Sequence, residues 1–237
     1  MKKNLDYLLI GPAYPFRGGI AETQHQLALA LQKKGKKVEL LTFTNLYPKI
    51  LFPGKTQFSY EMVSDKLKIT RLIHAYNPFN WKKILRYIQA CSPKFVVFRY
   101  YIPFLALSYG WIAKRLSKEI IRVALVDNWI PHEKNFFDKY LNNFFAKEID
   151  FFTTLSEFVA KQINNQCKKP IWSGFHPINK NLLPILNQNE VRKKLNWEKS
   201  TSYVLFFGLI RKYKGLDLLI KSFNTKVLKN KDVKLYV

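Results

Sequence analysis

Short uninterrupted apolar runs alternate with helical periodicity along most of this chain, and no other feature restricts its fold as much. Residues 6–12, 38–43, 67–73, 95–98, 121–126 and 150–154 read as strands. A helix is expected over 19–34, with Ile20, Leu27 and Leu31 on one face and Gly35 as its stop. Further helices are expected over 81–91, where the pattern is basic and amphipathic, over 105–116, over 136–147, and from Ser156, as a cap, to about residue 164. Residues 44–66, with Pro48, Pro53 and Gly54, read as a loop. Strands that are apolar on both faces and separated by helices imply a parallel sheet covered on both sides. The fold class is therefore α/β, with a Rossmann-like N-terminal domain over 1–173.

The pattern then breaks. The stretch opening at Trp172 holds Gly174, Pro177 and Pro184 and has no sustained period, so 174–200 reads as a hinge with a short helix at 190–195. At 201 the opening pattern starts again: a strand at 203–207, Gly208, a basic loop, a helix at about 214–228 and a strand at 233–237. One βαβ unit does not close a doubly wound sheet. Residues 201–237 therefore read as an incomplete second Rossmann-like unit.

Composition narrows the partners. Hydrophobic residues make up 48% of the 237, enough to bury a core and too many for a disordered chain. Cys91 and Cys167 stand without metal or redox spacing and read as reduced buried thiols. The N-terminal apolar run is too short for a secretory signal. The longest uncharged stretch, 100–113, falls below the roughly 18 residues of a membrane span. The chain reads as cytoplasmic. Its net charge of +24 is spread along its length, which fits either a solvated lysine-rich surface or a surface for a polyanion or an anionic membrane.

In open parallel sheets ligands bind outside the carboxyl ends of the strands. The residues just past each strand are thus the site candidates. After the first comes a loop with Phe16, Arg17, Gly18 and Gly19, the glycines opening a helix whose first amides are free to hold an anion. After the fourth comes Arg99, which either faces a ligand or bonds a neighbouring helix end. After the fifth come Asp127, Asn128, His132 and Glu133, and after the strand of the second unit come Arg211 and Lys214. His132-Glu133 lacks metal-ligand spacing. His25 and His74 read as ordinary surface or helix-face histidines. The GxGxxG fingerprint is absent and no acid follows the second strand, which disfavours a nicotinamide enzyme.

Four segments together, GPAYPFRGGIAE, DNWIPHEK, TLSEFVAKQI and FFGLIRKYKGLDLLIKSF, resemble glycosyltransferase family 4 in the family's order. The resemblance implies a GT-B fold, two Rossmann domains facing across a cleft, and sugar transfer with retention from a nucleotide-diphosphate donor to an acceptor hydroxyl. It implies that Lys214 and, displaced from the family's usual position, Arg211 hold the donor diphosphate together with the Gly18-Gly19 loop. It implies a catalytic polar group at Asp127 or His132. The acceptor side would include Phe16, Arg17, Arg99, Asn128 and Glu133. No metal or other cofactor is implied, because positive groups neutralise the leaving diphosphate.

The implied partners are a nucleotide sugar, a glycan or lipid-linked acceptor and an anionic membrane surface at the inner face of the plasma membrane; Trp81-Lys82-Lys83 and Lys114-Arg115 suit the last. The family's Glu-x7-Glu segment is missing, so the chain is expected to be a fragment or truncated form with weak or no activity. Two alternatives stay open: a non-catalytic remnant that keeps acceptor binding, and a basic α/β module for nucleic acid, for which no recognised motif appears.

Overall fold

The computed structural model describes residues 3–46, 58, 67–131, 133, 135–177, 184–208, 210–225 and 231–237. The chain divides into two compact units, Met1–His176 and Pro177–Val237. Unit 1 is α/β, a seven-stranded parallel sheet: β1 (Tyr7–Ile10), β2 (Val38–Asn45), β3 (Ile69–His74), β4 (Phe95–Tyr100), β5 (Ile121–Val126), β6 (Phe151–Thr154) and β7 (Ile171–Ser173) in the order β3-β2-β1-β4-β5-β6-β7. Its helices are α1 (Gly19–Lys33), α2 (Pro78–Cys91), α3 (Ala106–Lys114), α4 (Asp138–Lys147) and α5 (Glu157–Gln166). The order reverses direction between β1 and β4, which pair in register Tyr7 to Phe95 through Ile10 to Phe98. In open α/β sheets, such a switch point is where ligands bind, outside the carboxyl ends of the two strands.

The alternation of side chains along each strand divides the core. Val96, Phe98 and Tyr100 of β4 join Ile84, Tyr109, Phe145 and Ile163 of α2 to α5 on one face. Leu9, Val97 and Leu125 join Ala28 of α1 on the other. Burying a side chain of this size contributes roughly 1.5–3 kcal/mol, so the two layers fix strand order and facing. At the amino edge, buried Glu39 accepts hydrogen bonds from Lys3 (3.2 Å), Lys68 (2.8 Å) and Tyr87 (2.9 Å), tying β2 to the N-terminus and to α2. Burial acts to raise the Glu39 pKa, but these bonds outweigh it and hold the carboxyl below its ordinary value.

Sequence and structure differ in a few places. β7 lies where the break was expected to begin, because a three-residue edge strand is too short to show a period. Ser156 precedes α5 without a side-chain cap; its carbonyl instead accepts from Thr154 Oγ1 at 2.9 Å. Trp81 is core rather than surface, its Nε1 donating to the His74 carbonyl at 3.2 Å, and Cys167 is only half-buried. The 44–66 loop falls largely outside the described residues. Among the described residues no helix is long and apolar enough to cross a membrane.

Unit 2 contains α6 (Gln188–Lys194), β8 (Ser202–Leu205), α7 (Leu216–Phe223) and β9 (Val233–Tyr236), with β8 and β9 paired in parallel. Trp197 stacks on Tyr203 with ring centroids 4.0 Å apart, and Thr201 bonds Asp232 at 2.5 Å. A single βαβ unit covers only one face of its two-stranded sheet with its crossover helix, and Leu205, Phe207, Leu218 and Ile220 are exposed.

Candidate functional site

In unit 1 the loop after β1 is anchored from two sides. Ala13 N donates to Thr42 Oγ1 on β2 and Tyr14 N donates to His25 Nε2 on α1, both at 3.0 Å. His25 is buried, and desolvation pushes its pKa down while Glu22 offsets part of the shift. Phe16 turns its ring into the core, 6.4 Å from Phe43. Arg17, Gly18 and Gly19 are exposed. Gly18 has φ +117°, in the region that favours glycine, and a Cβ on Gly18 or Gly19 would meet no described atom within 4 Å. No side chain caps α1, so its first amides face this open space.

Behind the loop lies a buried ion pair. Arg99 Nε and Nη2 donate to Asp127 Oδ2 and Oδ1, each at 2.6 Å. Arg99 Nη2 also donates to Thr23 Oγ1 at 3.0 Å, and Thr23 Oγ1 donates to the Gly19 carbonyl at 2.8 Å. One hydrogen-bonded chain thus runs from Asp127 through Arg99 and Thr23 to the glycine loop. The Arg99 side chain is 2% exposed and that of Asp127 14%. The guanidinium is neutralised inside the protein by the Asp127 carboxylate. The carboxylate keeps unused lone pairs on its open side, where a hydroxyl can donate to it. Gly11 is required beside them, since a Cβ there would stand 2.6 Å from Arg99 Cβ.

In unit 2, β8 leads to Gly208 with φ +120°, and a Cβ at Gly208 would stand 2.6 Å from Lys214 Nζ. The ammonium therefore sits over bare backbone just past the strand. A 3-10 turn, Lys212–Lys214, and Gly215 (φ 69°) carry the chain into α7. Among the described residues neither Arg211 nor Lys214 has an ion-pair partner. Two cations beside the start of a helix suit a phosphate group.

Of the residues expected from sequence, Asp127 and Arg99 come together in one ion pair, which Thr23 links to Gly19. Asn128 and Glu133 are exposed on the loop after β5, and His132 lies outside the described residues. Arg211 and Lys214 flank the same short turn of unit 2. Sequence reasoning missed Thr23, His25 and Thr42. Only Thr23 carried a signal, a hydroxyl four residues into the helix opened by Gly19. A shallow groove lined by Tyr140, Lys147 and Lys168 includes none of these residues.

No family model matches the chain, and no curated protein matches it. Solved structures do. Sucrose-phosphate synthase from Thermosynechococcus elongatus superposes with a TM-score of 0.69 at 14% identity, over 97% of this chain and 61% of its own. An alpha-glucosyltransferase in complex with UDP-glucose and DNA containing an abasic site gives 0.51 at 13% identity, over 97% of this chain and 56% of its own. Spinosyn forosaminyltransferase gives 0.51 at 13% identity, over 98% and 65%. These neighbours are GT-B glycosyltransferases, and the chain shares their fold. It spans less than two thirds of their length.

Proposed function

We propose that the chain is the core of a retaining glycosyltransferase of the family 4 type, which takes a sugar from a nucleotide-diphosphate donor to the hydroxyl of a glycan or lipid-linked glycan. Lys214 carries the reading: an ammonium with no ion-pair partner among the described residues, held against a side-chain-free strand end in a fold shared with nucleotide-sugar transferases. Arg211 and Lys214 hold the diphosphate. As the bond from the anomeric carbon to the diphosphate oxygen breaks and a bond to the acceptor oxygen forms, negative charge grows on the leaving group. Fixed cations oppose that charge without a metal ion. On unit 1, the Gly18-Gly19 amides receive an anionic oxygen and Asp127 accepts a hydrogen bond from the acceptor hydroxyl. Arg99 holds that carboxylate in orientation.

Titration calorimetry with UDP and GDP tests the donor half. Binding of at least one nucleotide is expected, and Lys214→Ala is expected to weaken it about tenfold to a hundredfold, the range of a charged hydrogen bond. Binding that ignores Lys214→Ala and Arg211→Ala would defeat the assignment. Transfer of radiolabelled sugar to membrane glycolipid extracts then tests the acceptor half.

A further inference from the structure

Helix α4 carries two stripes. Leu141 and Phe145 pack into the unit 1 core. Tyr140, Asn143, Phe144 and Lys147, spaced i, i+3, i+4 and i+7, share another side of the helix and line a groove with the end of α5 and the turn into β7. The groove has a volume of about 530 Å³, inside the roughly 300–1,000 Å³ of ligand sites. Tyr140 is 63% exposed, and its ring continues outward to that of Phe136, 6.0 Å away between centroids. Phe144 and Cys167 form half-buried apolar walls.

The floor of this groove is held in place by its own hydrogen bonds. Gln166 Oε1 accepts from Trp129 Nε1, and Gln166 Nε2 donates to the Lys139 carbonyl and to Asn143 Oδ1, each at 2.8 Å. Lys169 Nζ donates to the Lys147 carbonyl at 2.9 Å and to the Ile149 carbonyl, closing the end of α4. The polar groups left over are donors: Asn143 Nδ2 and the exposed ammoniums of Lys147 and Lys168, which have no ion-pair partner among the described residues. No carboxylate lines the groove. Of the acids on these elements, Asp138 accepts from the Asn135 amide, Asp150 is paired with Arg122, Glu157 stands at the opposite end of α5, and Glu148 lies outside the lining.

We infer that the α4–α5 groove docks an acidic peptide segment of a partner protein. An apolar side chain of that segment enters between Tyr140, Phe144 and Cys167, and carboxylates beside it reach Lys147, Lys168 and Asn143 Nδ2. Charge complementarity selects this occupant, since donors without acceptors call for an acceptor-rich, negatively charged ligand. A second copy of the chain, itself at +24, would set lysines against lysines. Single-stranded nucleic acid needs cations alongside the rings on which its bases stack. Here the cations of the lining gather at one end, and Phe144 is a half-buried wall rather than an open face. The groove belongs to unit 1 alone and does not depend on the sugar-transfer assignment.

Selection of a random peptide library displayed on phage against the full chain, with counter-selection on Tyr140→Ser/Lys147→Ser/Lys168→Ser, tests this docking. Enriched peptides are expected to carry Asp or Glu beside an apolar residue. For a synthesised peptide of the enriched sequence, fluorescence anisotropy should show binding weakened about tenfold to a hundredfold by Lys147→Ser/Lys168→Ser. Tyr140→Ser should weaken it about tenfold. Lys82→Ser/Lys83→Ser, which removes the same charge from α2, should leave affinity within about twofold, with the circular dichroism spectrum unchanged in every variant. Failure to enrich acidic peptides would overturn the inference, and an equal loss in the α2 variant would reduce it to bulk charge and overturn it too. A Tyr140-dependent complex with oligothymidylate, with phosphatidylglycerol vesicles or with a second copy in sedimentation, formed while no peptide binds, would give the groove to that occupant instead.

Discussion

Arg99 and Lys214 look alike in sequence, each a basic residue soon after an apolar strand, yet the structure gives them opposite circumstances. Arg99 is sealed in, its Nε and Nη2 engaged by Asp127 and Thr23. Lys214 is exposed, seated over Gly208, with no ion-pair partner among the described residues. A cation at a sheet's carboxyl edge points to an anionic ligand only when the protein has not already neutralised it. By that criterion Arg99 is already neutralised within unit 1 by Asp127, and Lys214 is the cation that the function proposed above assigns to the donor diphosphate.

The contrast breaks most visibly in stability. Arg99→Ala removes one member of a buried pair and strands the Asp127 carboxylate, an effect on the order of 3–5 kcal/mol. Urea unfolding of unit 1 should show that loss, whereas Lys214→Ala should leave the transition within about 0.5 kcal/mol. Arg99→Met with Asp127→Leu is expected to recover much of the loss, because an apolar pair of similar volume leaves no charge uncompensated. If Arg99→Ala unfolded at the wild-type midpoint, the two cations would not differ as described.

How far this difference was legible in the sequence depends on the range over which each feature is determined. The α/β class and nearly every strand and helix were readable, because burial on both faces of a strand writes a continuous apolar run that needs no tertiary context. Strand β7 was not, being three residues long at a sheet edge. Arg99 was left open between ligand and structural roles, and its pairing with Asp127 across 28 residues is a tertiary fact that no local spacing encodes. His25 passed for a surface histidine, since only the folded β1 loop brings the Tyr14 amide to its ring. Trp81 beside Lys82 and Lys83 suggested an exposed aromatic-basic patch; the helix turns the indole inward and leaves Phe79 outside. Sequence shows which residue types gather at an edge, and the fold decides which of them are already engaged.

Gly208→Ala sharpens the Lys214 side of the comparison. At φ +120° an alanine is strained by about 1–3 kcal/mol, and its methyl would occupy the place 2.6 Å from Lys214 Nζ, displacing the ammonium from the strand end. Nucleotide affinity is expected to fall toward that of Lys214→Ala, with Arg211 intact. Retained affinity in a folded Gly208→Ala protein would show that the seat of Lys214 over the glycine is incidental.

The smallest expected effect lies on the Arg99 side, in the pH dependence of unit 1. Burial holds the His25 pKa below its ordinary value of 6.5, so the folded state favours the neutral ring that accepts the Tyr14 amide. Below pH 6.5 the unfolded chain takes up a proton that the folded one resists. The contribution is fully present above that pH and is lost as pH falls toward the depressed folded value. The slope cannot exceed about 1.4 kcal/mol per pH unit for one group. Chemical denaturation at about pH 7.5 and about pH 5.5 should show the loss, and His25→Gln, whose amide oxygen can still accept from Tyr14, should flatten it. The β1 loop carries Gly18 and Gly19 as well. Hydrogen exchange at the Tyr14 amide should therefore accelerate on acidification in the wild type more than in His25→Gln, and an equal response in both would remove His25 as the anchor of that loop.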